Sequence, residues 1–253
     1  MRESKIPYEI HRSGEKAIIF IHGFLDSGEV WKSTIENIDC PSYESVTLDL
    51  PAMGRLSDYV GPLDLYTLRD AALEVIDAVN KPCVLVGHSM GCQIAELAAA
   101  KRPGSVQALV FLAPVPLGGT PCDQGTIDMM HAIGRNRELQ FGVRKQLCPE
   151  MTDEQVLAHM EIGLQPTREN AGKLFDTWST GLPEGKEPSA FRGKVHIITG
   201  TADPFANPAV VNESVAPRFA DVSLKVLDGA SHWAQFTLGK IIGDDISAFI
   251  AEL

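Results

Sequence analysis

Long apolar runs are missing from this chain. Its longest stretches of uninterrupted hydrophobic residues reach about six, against the roughly 20 that a membrane-spanning helix requires. No membrane span is therefore expected. The N-terminus, Met1 to Lys16, is charged and has no apolar segment of the kind that directs secretion. Cationic residues are scarce as well: 22 Lys and Arg stand against 33 Asp and Glu, a formal net charge of −11. No Lys/Arg cluster breaks the trend, so the chain repels phosphate backbones and anionic lipid surfaces, and nucleic acid is not an expected partner. A small anionic substrate is still compatible, because one or two local cations suffice to hold it. Paired cysteines are lacking too. Cys40, Cys83, Cys92, Cys122 and Cys148 form an odd set with no CxxC pair and no matching His spacing. Neither a disulfide framework nor a zinc site is indicated, and a reducing cytoplasm is the simplest expected compartment. Internal repeats and low-complexity tracts are absent from the sequence.

What is present is the make-up of an α/β domain. The chain has 253 residues, 44% of them hydrophobic, enough to bury a sizeable core. Short β-branched runs at Ala17–Ile21, Ser45–Leu50, Pro82–Val86, Ala108–Ala113, Val195–Thr199 and Val222–Leu227 are apolar on both faces. Such runs suit a parallel sheet covered on both sides, with Tyr8–His11 as an antiparallel edge strand. Helical stretches alternate with them. Tyr66–Val79 carries Leu68, Ala71, Ala72, Val75, Ile76 and Val79 on one stripe, with Thr67 as a plausible N-cap. Ser89–Lys101 is rich in Ala, Leu and Glu and stops at Arg102-Pro103-Gly104; Pro208–Ala216 and Thr237–Ala251 are further helices. This order predicts a doubly wound, mostly parallel sheet with right-handed crossovers.

One stretch breaks the rhythm. From Leu117 to Ala190 there is no strand-like run, and the pattern predicts helices over Thr126–Gln146, Thr152–Leu164 and Arg168–Thr180, the second opening on a Thr152/Gln155 capping box. An insertion of roughly 70 residues is too long for a loop and reads as a cap or lid. The expected division is therefore a core of residues 1–116 and 191–253 with a helical cap at 117–190.

The chemistry is announced at Val84-Leu85-Val86-Gly87-His88-Ser89-Met90-Gly91, where a strand runs into G-x-S-x-G and a helix follows at once. Glycine is needed on either side because the turn is tight and a Cβ would collide with the neighbouring strand or helix. This geometry exposes the Ser89 hydroxyl at a helix N-terminus, where developing negative charge is favoured. A serine nucleophile needs a base, and the base needs an orienting acid. His232, in Asp228-Gly229-Ala230-Ser231-His232-Trp233, lies in the loop after the last strand, which returns to the same sheet edge. His88 sits inside the elbow and His22 directly follows a core strand. His11, His131, His159 and His196 fall in the edge strand, the insertion or mid-strand and read as packing or surface groups. For the acid, Asp203 follows a core strand at its C-terminal end, where open α/β sheets bind ligands. Asp228 and Asp123 are rivals; Asp228 reads better as a strand terminator or turn cap, and Asp123 would have to reach from the base of the cap. The resulting chain order is Ser, Asp, His. Two backbone amides, those of Phe24 after His22-Gly23 and of Met90, are the expected oxyanion donors, with both side chains directed into the pocket. Met129, Met130, Trp178 and Trp233 are candidates for its apolar lining.

Taken together, HGFLDSGEVW at 22–31, DLPAMGRLSD at 49–58, GHSMG at 87–91, GTADPFANP at 200–208 and GASHW at 229–233 resemble the recurrent blocks of the α/β-hydrolase superfamily in their usual order. The resemblance covers the chain outside the insertion, which sits where the cap of that family sits. It implies the α/β-hydrolase fold, with the cap inserted after the sixth core strand. It also implies Ser89, Asp203 and His232 as the triad, and Phe24 and Met90 as the oxyanion hole. The block at 49–58 departs from the family pattern at Ala52 and Met53 and carries an extra Leu56, and Cys92 stands where a further glycine is common. A serine nucleophile disfavours dehalogenase or dienelactone hydrolase chemistry. The expected activity is hydrolysis of a small carboxylic ester, lactone or thioester through an acyl-enzyme, on a small-molecule substrate and with neither metal nor organic cofactor. The same scaffold also supports C–C bond hydrolysis and a menaquinone-pathway-type lyase; the lyase would need arginines in the pocket, for which Arg55, Arg135, Arg137, Arg144 and Arg168 are available. A different class of function is a slow-turnover ligand-binding receptor.

Overall fold

The computed structural model describes residues 4–163 and 165–253. Met1 to Glu3, part of the charged N-terminus, and Leu164, where a cap helix was expected to end, lie outside the described residues. In chain order the elements begin with β1 (Tyr8–Ile10), β2 (Lys16–Ile21), a short turn into α1 (Lys32–Ile35), β3 (Tyr43–Leu48) and α2 (Leu65–Val79). They continue with β4 (Cys83–His88), α3 (Met90–Lys101) and β5 (Val106–Leu112). Next come α4 (Gln124–His131), α5 (Arg137–Leu147), α6 (Asp153–Gly163) and α7 (Arg168–Thr180). The chain then runs through β6 (Lys194–Gly200), α8 (Pro208–Val210), β7 (Val222–Leu227), α9 (Ala234–Thr237) and α10 (Gly239–Ala251).

The seven strands form one sheet in the order β1-β3-β2-β4-β5-β6-β7. Only β1 runs antiparallel, with Tyr8 opposite Leu48; every other neighbouring pair is parallel. The central strands carry β-branched and aromatic side chains on both faces, and Ile18, Ile19, Phe20, Val84, Leu85, Leu109 and Val110 are fully buried. Helices cover the sheet, with α2 packed on α3 and α10 packed on α1. The register sets Phe20 beside Val86 and Ile21 beside Gly87, so β2 and β4 end side by side and their C-terminal loops share one edge.

Four details differ from the sequence reading. The helical insertion leaves the sheet after β5, the fifth strand in chain order and not the sixth. The strand at 222–227 is no covered core strand: β7 pairs only with β6, and Leu224 and Val226 are 36% and 44% exposed. Ser223 and Lys225 alternate with them, as on a half-solvated edge. Helix α2 is capped by Asp64, whose side chain accepts from the Thr67 amide at 2.7 Å, one turn before the expected cap. Finally, the helix expected over 126–146 is two helices. Gly134 approaches the backbone of Thr167 and Arg168 too closely for a Cβ, Arg135 has φ +53°, and the Asn136 side chain caps a fresh start at the Leu139 amide. The capping box of α6 forms as expected: Gln155 accepts from the Thr152 amide at 2.9 Å and Thr152 from the Gln155 amide at 3.2 Å.

Candidate active site

Ser89 stands between β4 and α3 with φ +52° and ψ −119°, a conformation that an L-residue adopts only when its surroundings force it. The forcing groups are close. A Cβ on Gly87 would lie 2.7 Å from the Gly91 carbonyl and 2.8 Å from the Cys92 backbone, and one on Gly91 would strike the carbonyl of Ile21. The Ser89 amide donates to Leu112 O at 3.0 Å, which ties the turn to the neighbouring strand. Met90 opens α3, where amides have no partner within the helix.

His232 brings its imidazole to this turn from the loop after β7. Its Nε2 lies 3.2 Å from Ser89 Oγ, and its Nδ1 lies 2.8 Å from Asp203 Oδ2. A carboxylate only accepts, so Nδ1 carries the proton and Nε2 presents a lone pair to the serine hydroxyl. Asp203 is itself fixed, its Oδ1 accepting from the amides of Phe205 at 2.8 Å and Ala206 at 3.0 Å. Burial works against the charge of both groups. It lowers the proton affinity of His232, but the charge and hydrogen bond of Asp203, with a smaller contribution from Asp26, leave the imidazole above its ordinary 6.5. It also raises Asp203, but the His232 charge and hydrogen bond and the two amides hold the carboxyl below its usual 3.8.

The rival groups are engaged elsewhere. Asp228 accepts from Thr201 Oγ1 at 3.1 Å, and Asp123 caps α4 by accepting from the Thr126 amide at 2.9 Å. His22 donates from Nδ1 to Gly23 O and accepts at Nε2 from the Leu50 amide, which secures the strand end next to the elbow. His11 meets Thr47, His131 meets Asp176, and His196 lies between Ser223 and Asp245 at 2.7 Å from each. His159, read as a packing or surface group, and His88, inside the elbow, both lie beside the His232 ring. His88 donates from Nε2 to the His232 carbonyl at 2.9 Å, and His159 is fully buried at the foot of the cap-side helices.

A cavity of about 40 Å³ adjoins Ser89 and His232. Its wall is largely apolar: Phe24, Met130, Trp178 and Trp233 line it, together with Val115, Ile133 and Phe205. Met129 does not line it; neighbouring positions on a helix point about 100° apart, and α4 turns Met130 inward in its place. The Met90 side chain is also absent from the wall, being fully buried in the core beneath the elbow. Of the five arginines considered, only Arg144 reaches the cavity. Arg55 pairs with Asp49 and Glu9, Arg135 with Asp58, Arg137 with Glu161, and Arg168 donates to the His131 carbonyl. Residues 147–150, at the end of α5 and just beyond it, grip the His232 loop: Leu147 O accepts from the His232 amide, Cys148 Sγ from the Trp233 amide, and Glu150 from the Ser231 hydroxyl. Among the described residues the cysteines are free, no cluster of His, Cys, Asp and Glu is arranged to hold a metal ion, and no helix is long and apolar enough to cross a membrane.

Residues 18–237 match the profile of a family described as "Alpha/beta hydrolase family". A "Probable lysophospholipase BODYGUARD 4" of Arabidopsis thaliana is 37% identical over 114 residues, 42% of this chain and 26% of that protein, so the chain spans about a quarter of this relative. Among solved structures, a bromoperoxidase from Bacillus anthracis superposes with a TM-score of 0.86 at 18% identity, covering 97% of this chain and 95% of its own. An esterase from Exiguobacterium antarcticum superposes at 0.85 and 14% identity, covering 97% and 95%. At such identities the likeness is one of fold.

Proposed function

The chain belongs to the alpha/beta hydrolase family, and from that premise we propose that it is a serine hydrolase cleaving a small carboxylic ester, or a lactone or thioester of similar size. One observation carries the reading: the unbroken hydrogen-bond line from Ser89 Oγ to His232 Nε2 at 3.2 Å and from His232 Nδ1 to Asp203 Oδ2 at 2.8 Å. In the proposed cycle Ser89 Oγ attacks the substrate carbonyl carbon as His232 takes the hydroxyl proton. Asp203 stabilises the imidazolium, and the amides of Phe24 and Met90 receive the oxyanion. Collapse of the tetrahedral adduct breaks the C–O bond to the alcohol, to which His232 returns its proton. Water then repeats the sequence on the acyl-enzyme, with His232 as base, and the acid leaves with Ser89 restored.

In this reading residues 117–190 act as the cap that closes the acyl side of the site. At about 40 Å³ the cavity beside Ser89 is small, which favours a short acyl group. Arg144 weighs against the lyase alternative, because its guanidinium is engaged by His159, the Gln140 side chain and the Leu25 carbonyl and is not presented to a substrate carboxylate.

The test is hydrolysis of p-nitrophenyl acetate, butyrate and octanoate by the wild type and Ser89→Ala. The expected outcome is turnover of the two short esters, little of the octanoate, and a loss of about a thousandfold or more in Ser89→Ala. Equal rates in both proteins would remove the serine-esterase reading. A burst without turnover would favour the receptor. Fluorophosphonate labelling of Ser89 without ester hydrolysis would point to a C–C bond or another carbonyl substrate.

A further inference from the structure

Asp26 is a carboxylate with no access to solvent, and the serine, histidine and aspartate line does not use it. It sits in the loop after β2, between the oxyanion candidate Phe24 and the turn at Gly28–Trp31. An unpaired charge at such a depth is strongly unfavourable, so the groups around it show what it is for. Its Oδ2 accepts from the Trp233 indole nitrogen at 3.0 Å. Its Oδ1 lies 3.2 Å from His159 Nε2, off the line of a good hydrogen bond. His88 Nδ1 stands 3.6 Å from Oδ2.

The protons in this cluster can be assigned. The Arg144 Nε–H donates to His159 Nδ1 at 2.9 Å, so neutral His159 carries its proton on Nε2, facing Asp26. Arg144 and Asp26 are therefore opposite charges bridged by one imidazole, and the guanidinium also lies over the Trp233 ring at 5.5 Å. The His88 Nε2–H donates to the His232 carbonyl, and the His88 and His232 rings are 4.9 Å apart. Asp26 thus holds the residue after His232 directly, while the bare Nδ1 of neutral His88, 3.6 Å from Oδ2, has no proton to give it.

Resting on the proposed serine-hydrolase reading, we infer that Asp26 is a positioning residue of the site. It fixes the His232–Trp233 loop through the Trp233 indole, and its charge adds to that of Asp203 in favouring the His232 imidazolium. Of the other ionisable groups, Asp203 after β6, His88 on β4 and His159 on α6 face His232, Arg144 shares its cavity, and Glu150 and Cys148 hold the residues on either side of it. Those facing Asp26 are His22, His88, His159, Arg144 and His232. Asp26, Asp203 and Glu150 are the carboxylates in this set, and Arg144, which lines the same cavity as His232, is the cation that opposes them. Burial opposes ionisation of Asp26, but its neighbours, His159 foremost, outweigh it and hold the carboxyl well below its ordinary value.

The experiment compares kcat, KM and the pH profile of p-nitrophenyl acetate hydrolysis in wild type, Asp26→Asn and Trp233→Phe. Asp26→Asn keeps the volume and removes the charge. It is expected to lower kcat by about tenfold or more with little change in KM, as for a misplaced base, and to move the acid limb of kcat/KM to lower pH. Trp233→Phe removes the indole donor and keeps the charge; kcat falls and the acid limb stays where it is. An Asp26→Asn enzyme with wild-type kcat and acid limb overturns the inference. If Asp26→Asn does not fold, Trp233→Phe decides, and unchanged kcat there overturns it. Wild-type hydrolysis that persists in Ser89→Ala would instead defeat the underlying reading, whatever Asp26 does.

Discussion

At the scale of single residues, the site is a set of charges kept from water, and its protonation follows from which charge faces which. In the proposed cycle His232 must be neutral to take the Ser89 proton, and the neighbouring Asp203 raises its affinity for protons against the effect of burial. Activity on an uncharged ester is therefore expected to rise with pH through a midpoint above 6.5, the ordinary histidine value. A kcat/KM profile measured from acid to neutral pH checks this, and a midpoint below 6.5 would mean that desolvation outweighs Asp203. Ser89, Asp203 and His232, which the structure brings together, could be singled out in the sequence because each follows a strand within a short local pattern, so a shared sheet edge could be inferred without seeing it. The sequence did not disclose Asp26, His159 and Arg144. Their mutual contacts cross from the β2 loop to α5 and α6, and alone each reads as an ordinary polar residue. The near-miss at Met129 is of the same kind: helical spacing gives two adjacent methionines, and only packing selects Met130.

Elements show a different balance. The parallel strands were legible because a strand covered on both faces must be apolar where it is covered, as β2 is at 17–21, β4 at 83–86 and β5 at 108–112. β7 was misjudged because an edge needs only its inner neighbour, and Val222–Leu227 carries its polar alternation weakly. The break between α4 and α5 escaped because the signal lies in Gly134 and its contact with Thr167, a residue far along the chain. Capping, by contrast, is local, and the reciprocal pair at the start of α6 was readable from four residues. Thr152→Ala removes the acceptor for the Gln155 amide and is expected to cost about 1 kcal/mol, a downward shift of roughly 2–4 °C in thermal midpoint for a chain of this size. Differential scanning calorimetry reads that shift. An unchanged midpoint would show that packing of α6 alone sets its start.

For the whole molecule, the buried ionisable groups make stability depend on pH in a definite direction. Burial lowers His22, His88 and His159 below 6.5, so the unfolded chain takes up protons first and their contribution is lost as pH falls through 6.5. Burial opposes the charges of Asp26, Asp49 and Asp203, but their partners hold all three below 3.8, so their contribution is complete above that value and is lost as pH falls through it. His232 has the opposite sign: its contribution is full below 6.5 and fades as pH rises through its higher folded value. Three histidines oppose one, so the thermal midpoint is expected to decline between about pH 7 and 5 and more steeply below about 4. A midpoint that climbs on acidification to pH 5 would give His232 the larger weight. The long crossover between β5 and β6 also governs the order in which the molecule comes together. β5 pairs with β6 only after residues 113–193 have closed as a loop, a late event by the entropy of bringing such distant segments into register. Ser89 and its elbow lie before that crossover; Asp203, His232 and the residues that Asp26 grips lie beyond it or within it. In the proposed serine-hydrolase reading, a chain that has not yet closed this loop has its nucleophile but neither base nor acid beside it.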